Sequence, residues 1–586
     1  MAGTPELPNE LEAAPTDAGI EDAAPEEPLV VGPPQPPAWD GPLITITHTW
    51  AAVYATPEFV RKKKLGYLRN GASIAVKKER VSDADCTRGW YEVVTGGYIC
   101  NNSGTLDPKD PQLKFAMSQP KLDDVLPYQY ARNAKNGTPL YKSVPTPEQM
   151  YGYEPYLEAA KEWRKQQAEK AAREAKEAAK EAAAKRAAQQ AAAAKDSPPA
   201  SDRDRAEPTP RAEPDRHEVA RRAKVKNRRK RRRHKDDDQE QPVARRDVAP
   251  PPPPPPAPAS ASAPVPAEGP DEEPTAAPEV PWWQQEDPNN LHEVTLEQLQ
   301  AEADDVLAMR MMKGFYVAID RTFRWNERLW YKTTKGMVGP ADRFWQVAGS
   351  KFHGVELGQD FQLPVGFVYG SRKQATAYAL DSDSQLKPAK EIEHFSAVDL
   401  TGQTKQIGKN DYWETKDGHW IKAAYVRVAQ GGEPPENLDP KERWIDINVK
   451  TQTLVAYVGT RPVYATMVSS GKESSVKEKD HRTPRGEWRI REKHLTTTMD
   501  GNGTAAGDLP YSIEDVPYVA YFHKSYAVHG AFWHSNYGVR MSHGCVNLAP
   551  LDAKWVFFFT DPQVPAGWHG VWATEKSPGS RVVIHE

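Results

Sequence analysis

The 586-residue chain is predicted to be mainly β, with small β units ahead of a C-terminal β domain and a long low-complexity insertion between them. Three observations carry this. Short runs of alternating apolar and polar residues, closed by Gly and Pro turns, recur from Thr45 onward, which is the period of a half-buried strand. A long central stretch is rich in Pro, Ala and charge and nearly devoid of large apolar side chains, so it has no core to bury. No apolar run reaches the ~18 residues that a membrane-spanning helix needs. The formal net charge of −4 averages over segregated acidic and basic segments and excludes no partner class by itself.

Residues 1–43 are acidic and Pro/Ala-rich, the composition of a disordered tether. Met1–Trp50 lacks a basic segment followed by an apolar one, so no export leader is visible in it. Residues 44–105 carry V-Y-A-T-P, A-S-I-A-V-K-K-E-R-V and G-W-Y-E-V-V-T-G-G-Y-I-C, enough short strands for a small β-barrel. Gly89-Trp90-Tyr91 and Gly97-Tyr98-Ile99 resemble the last strands of a bacterial SH3-like module. Cys86 and Cys100 bracket this hairpin; their spacing leaves both a disulfide and two reduced core thiols open. Residues 125–149, with N-G-T-P-L-Y, read as the start of a second such module. Its continuation falls in 290–360, where F-Y-V-A-I-D-R and R-F-W-Q-V-A restore the strand period. Within that return, Leu296, Leu299 and Leu307 stand near helical spacing behind a capping Thr295. A third strand-turn-Gly-x-Trp pattern occupies 361–430, making a degenerate repeat. Such modules position a neighbouring domain on a polymer or simply pack against it.

The insertion, 150–285, has three parts. Pro155–Lys195 consists of strong helix formers, with Glu177–Lys180 and Glu181–Lys185 at ion-pair spacing and no apolar stripe beyond Ala after Trp163. It predicts a solvated single helix. Arg221–Lys235 is a dense basic run, suited to an anionic polymer or to service as a self-repelling linker. Pro250–Pro256 is stiff polyproline II.

Residues 442–586 read as strands W-I-D-I-N-V, T-L-V-A-Y-V-G, P-V-Y-A-T-M-V and G-E-W-R-I-R-E-K-H, with G-T-R-P as a hairpin turn between the second and third. Tyr518–Phe522 and Tyr526–Val528 follow as strands, R-V-V-I at Arg581–Ile584 closes the set, and Pro550–Thr560 is the one helix. Pro550 suits its first position, Ala549 leaves it without a side-chain cap, and Leu551, Trp555 and Phe558 are its expected buried stripe.

The chemistry concentrates in Val528–Leu548, V-H-G-A-F-W-H-S-N-Y-G-V-R-M-S-H-G-C-V-N-L. Cys545 has His543 two residues before it and His529 sixteen before it, a distance that only the fold can close. A thiol becomes a nucleophile when a base takes its proton. A lone Cys is ordinarily a small buried hydrophobe, but a Gly-flanked polar loop is a poor place for one. Zinc is disfavoured because the His and Cys spacing matches no ligand pattern. His529 would sit at a strand end, Gly538 and Gly544 would let the loop fold back, and the Gly544 and Cys545 N–H groups would face a developing oxyanion.

His529-Gly530 followed by Ser542-His543-Gly544-Cys545-Val546-Asn547 resembles the signature of the L,D-transpeptidase (YkuD-like) family, and Gly471 in S-S-G-K and Thr483-Pro484-Arg485-Gly486 resemble its other short motifs. The resemblance implies a β-sandwich with a helix beside the active-site loop and a peptidoglycan stem tetrapeptide as donor. Cys545 would be the nucleophile and His529 the base, oriented by the Gly530 carbonyl where some members carry Ser. His543 would be the loop-stabilising fallback base, and Ser542 and Asn547 would hold the loop, Asn547 also lying toward substrate. Tyr518 and Trp533 are expected to wall the cleft. The implied product is a 3→3 cross-link made without metal or organic cofactor. The alternatives are an L,D-carboxypeptidase, protein attachment, or a non-catalytic wall-binding scaffold. The family's substrate implies a periplasmic or cell-envelope location, with the numbered start lying downstream of a leader or of the true start. An envelope polyanion is then the expected partner of Arg221–Lys235, rather than nucleic acid.

Overall fold

The computed structural model describes residues 29–195, 282–284, 294–370, 374–383, 385–477, 480–501 and 510–586. Most of the tether, the basic run Arg221–Lys235 and Pro250–Pro256 lie outside them. The architecture is mostly β. Residues 1–155 and 280–586 make one compact unit. Residues 156–279 make the other. In the latter the described element is the helix Tyr156–Lys195, where Lys185 and Glu181 pair at 2.7 Å as their spacing predicts. No helix among the described residues is long and apolar enough to cross a membrane.

The catalytic-motif region is two sheets with a common core. One sheet runs Arg461–Met467, Thr453–Val458, Arg443–Asn448, Arg581–His585 and Gly486–Arg489, with Val355–Glu356 on its edge. The other joins Gly570–Trp572, Glu492–Gly501, Tyr511–His523, Tyr526–Gly530 and Val546–Leu548. Ile445, Ile447, Leu454 and Val582 from the first meet Ala520, Val528 and Val546 from the second, which is what alternating strands do when each has one apolar face. The helix Pro550–Phe559 lies in this core and starts on an uncapped Ala549. Its buried side differs from expectation: Leu551 and Trp555 are only partly covered, whereas Asp552, Ala553, Val556, Phe557 and Phe559 are buried with Phe558. Asp552 decides this, because its carboxylate accepts from Tyr464 Oη (2.6 Å), Thr466 Oγ1 (2.6 Å) and the Gly354 N–H (2.7 Å), turning that face inward.

The upstream strands are built into the same unit. Lys64–Arg69 pairs with the Gly570–Trp572 strand, Gly66 opposite Val571 and Tyr67 opposite Gly570. Cys86 and Cys100 form a disulfide beside the buried Trp90, settling the alternative that spacing left open. Strands from both sides of the insertion pair: Gln129–Asn133 lies antiparallel to Tyr316–Trp325 and Phe344–Val347, and Thr138–Tyr141 to Leu307–Met311. Seven strands between Val365–Val368 and Val426–Ala429 form a separate sheet. The expected helix through Leu307 is cut to one 3-10 turn, Gln298–Gln300. Thr295 and Gln298 do cap each other (3.3 and 2.7 Å), but Asp304 Oδ1 then accepts from the N–H groups of Val306 and Leu307, and Leu307 begins a strand.

Candidate active site

The strand Tyr526–Gly530 runs parallel to Val546–Leu548 with Val528 opposite Val546 and His529 opposite Asn547. Cys545 precedes Val546 and therefore lies beside Ala527. Residues opposite one another on paired strands share a face, as do residues two apart on one strand. His529, Ala527, Cys545 and Asn547 thus occupy one face, with imidazole and thiol at diagonally neighbouring positions. The sixteen-position separation between them is closed by this register alone.

Burial sets the protonation of both groups. His529 is 2% exposed, and desolvation pushes its pKa down to about 4. Its Nδ1 lies 3.2 Å from the Gly530 carbonyl. A carbonyl only accepts, so Nδ1 carries the proton and Nε2 is left as the basic lone pair. Trp533 stacks on the ring at 5.7 Å. Burial pushes the Cys545 thiol up to about 11, opposed by the Ala527 N–H, which favours the thiolate. The thiol points to the Ser525 carbonyl at 3.8 Å. The resting pair is therefore a neutral thiol and a neutral imidazole.

The other motifs converge on the loop before Cys545. Ser469 and Asn547 exchange backbone hydrogen bonds (2.8 and 2.9 Å), and Lys472 N–H donates to the Ser542 carbonyl (2.9 Å). Gly471 donates to Thr483 Oγ1 at 2.9 Å, tying S-S-G-K to T-P-R-G. A Cβ on Gly471 would meet the His481 carbonyl and come within 2.9 Å of Gly544 Cα, so a side chain there would push the cysteine loop away. Gly544 has φ +117° and lies against the Tyr526 ring, a position that also excludes a side chain.

Ser542 Oγ donates to the Cys545 carbonyl (2.5 Å) and accepts from the Gly544 N–H (3.1 Å). The expectation that the Gly544 N–H faces an oxyanion is thereby corrected, since that donor is committed to Ser542. Tyr518 is a second correction. It is 1% exposed, has φ +56°, and packs in the core against Phe557 and Phe558 rather than walling a cleft. The positive φ turns its ring to the helix side. The tyrosines near Cys545 are instead Tyr521, which faces Ala527 across the hairpin, and Tyr511. Burial and, second, the neighbouring Cys545 raise both phenols, Tyr521 to about 12. His543 is exposed beside His481 (4.6 Å) and stacked on Tyr511 (5.7 Å).

His534 belongs to none of the short motifs in the sequence. Its Nε2 lies 3.0 Å from the Asn547 amide and its Nδ1 accepts from the Asn536 N–H at 3.2 Å. Asn547 is opposite His529, so the two histidines share this face, and burial lowers His534 to about 4 as well. Among the described residues no cluster of three His, Cys, Asp or Glu side chains is arranged to hold a metal.

Residues 442–584 match the YkuD family, the L,D-transpeptidase catalytic domain. The region is thus an L,D-transpeptidase-like catalytic domain. YciB of Bacillus subtilis, provisionally named an L,D-transpeptidase, is 31% identical over 143 residues, spanning 22% of this chain and 65% of YciB. The chain therefore spans just under two thirds of that curated relative. Among solved structures, an L,D-transpeptidase from Xylanimonas cellulosilytica is 22% identical, covering 26% of this chain and 64% of that one with a TM-score of 0.18. An L,D-transpeptidase from Mycobacterium smegmatis is 16% identical, covering 38% and 82% with a TM-score of 0.20.

Proposed function

We propose that the chain is a cysteine-dependent L,D-transpeptidase acting on peptidoglycan stem peptides. The observation that carries this is the single face shared by Cys545 and a His529 whose Nε2 is free and neutral. Cys545 Sγ attacks the carbonyl of the third residue of a stem tetrapeptide while His529 Nε2 takes the thiol proton. Of the two donors expected for the oxyanion, the Cys545 N–H is the one left. As the intermediate collapses, the C–N bond to the terminal D-alanine breaks and the imidazolium returns its proton to the departing amine. The thioester is then attacked by the side-chain amine of a second stem. His529 takes the amine proton and passes it to the sulfur as the C–S bond breaks, giving a 3→3 cross-link and the free thiol. The path uses neither metal nor organic cofactor.

In this reading Asn547, held by His534, fixes the strand that carries the thiol, and Trp533 covers the imidazole. The upstream modules position the domain on the wall, and Arg221–Lys235 engages an envelope polyanion. The setting is the periplasm or cell envelope.

Incubating the full chain with a disaccharide tetrapeptide and following intact mass and products tests this. A tripeptide-acyl adduct absent from Cys545→Ala, together with dimer, is the expected result. Free tripeptide without dimer would make the enzyme an L,D-carboxypeptidase. No adduct on folded protein, with substrate or with a carbapenem, would contradict catalysis.

A further inference from the structure

Away from Cys545, a cleft of about 430 Å³ opens where the first upstream module meets the catalytic domain. Its walls are aromatic: Trp50, which is 49% exposed, meets Tyr67 edge-on at 6.4 Å, and Tyr67 meets Trp572 at 5.7 Å. Its rim is cationic. Lys64 Nζ sits 4.9 Å over the Trp50 ring, and the exposed Lys335 reaches in from the second module. The deeper Arg69 is already paired with the buried Asp515 at 2.6 Å, so Lys64 and Lys335 are the cations of the rim, Lys335 partly offset by the buried Glu514. Thr497 and Thr498 line one side, while the buried Thr496 hydroxyl is committed to Arg69 and Asp515. Flat indole faces suit the C–H faces of sugar rings, and hydroxyls with lysines suit a saccharide that carries carboxylates.

The sheet register connects this cleft to the nucleophile. Trp572 is opposite Glu492, Glu492 opposite Tyr521, and Tyr521 opposite Ala527, which lies beside Cys545. One cross-strand row on one face thus runs from cleft to thiol. Four inter-strand steps make it about 19 Å long. His494 fills the ground between: its ring is 5.8 Å from Tyr521 and 6.3 Å from Trp572, and its Nδ1 meets Tyr67 Oη at 3.0 Å. That bond crosses over Gly570, whose missing Cβ would touch both side chains.

We propose that the cleft is a saccharide site, binding stem-free residues of a glycan strand, whose lactyl carboxylates are free, while the stem peptide of a neighbouring residue on that strand reaches Cys545 along the shared face. The choice of polymer rests on the transpeptidase reading, but binding there needs no thiol chemistry. The test uses the full chain and stem-free glycan chains, whose lactyl carboxylates make them anionic, with affinity measured by calorimetry. The glycan is expected to bind wild type and Cys545→Ala equally, and more weakly as salt rises. Trp50→Ala should lose at least about tenfold, the scale of one well-packed aromatic contact. Lys335→Glu, at an exposed position, should weaken binding several-fold and flatten the salt dependence. Failure of wild type to bind, or equal binding by Trp50→Ala and Lys335→Glu, would overturn the site. Equal affinity for a neutral chito-oligosaccharide would overturn the charge requirement. Loss of the acyl adduct with glycan binding intact would count against the transpeptidase reading alone.

Discussion

The two ends of one sheet face differ both in residue type and in burial. At the Cys545 end His529 is buried and His534 and Cys545 are half-buried, and desolvation drives the two histidines to about 4 and the thiol to about 11. At the Trp50 end the aromatic rings are half-open and the lysines reach solvent. Burial suits the first end to the proposed proton transfer, and exposure suits the second to the proposed binding. Desolvation holds the histidines of the first end neutral at physiological pH.

The sharpest way to break the comparison is at its buried end. His529→Ala removes the proposed base while Cys545 stays in place, and should slow acylation about 10²- to 10⁴-fold, the usual worth of a positioned general base. Stopped-flow fluorescence with a carbapenem reads this directly, and near-normal rates would move the base to His543. Gly471→Ala acts on the geometry alone. Its Cβ has no room against the His481 carbonyl and Gly544 Cα, so the cysteine loop must shift and acylation should fall by about tenfold or more with the fold retained. Circular dichroism alongside the rate would separate a shifted loop from an unfolded domain. The smallest effect is expected at the far end. Replacing Cys86 and Cys100 together by Ser opens a short loop and should cost about 2–4 kcal/mol of stability without altering carbapenem acylation at saturation. A denaturant titration checks the first part, and loss of acylation in folded protein would show that the module couples to the thiol.

Much of the site was legible because its signals are local. Ser542-His543-Gly544-Cys545, Gly471 and Thr483 are short motifs whose residue types state their own backbone needs, and the strands around them alternate cleanly. What was not legible depended on register and burial. Tyr518 and Tyr521 lie on the same strand, three residues apart, and only a positive φ at Tyr518 and the pairing of Tyr521 with Ala527 tell which one lies near Cys545. His534 carried no motif; its role follows from where the loop brings Asn547. The Gly544 N–H looked available until Ser542 Oγ was placed on it. The buried face of the last helix was misread because Asp552, a carboxylate, seeks three buried donors that no periodicity count contains. Likewise, alternating strands announced small β units, but not that Lys64–Arg69 would extend the catalytic sheet and create a cleft at the seam.

The most direct test of the neutral thiol–imidazole pair is the rate of carbapenem acylation of wild type between pH 5 and 9. With His529 unprotonated above about 4 and Cys545 protonated below about 11, the reacting population does not change across this window, so the rate should be nearly flat. A rate rising about tenfold per pH unit would mean that a free thiolate reacts unaided. An acid limb near the ordinary histidine value of about 6.5 would mean that an exposed imidazole is the base. Either result contradicts the account.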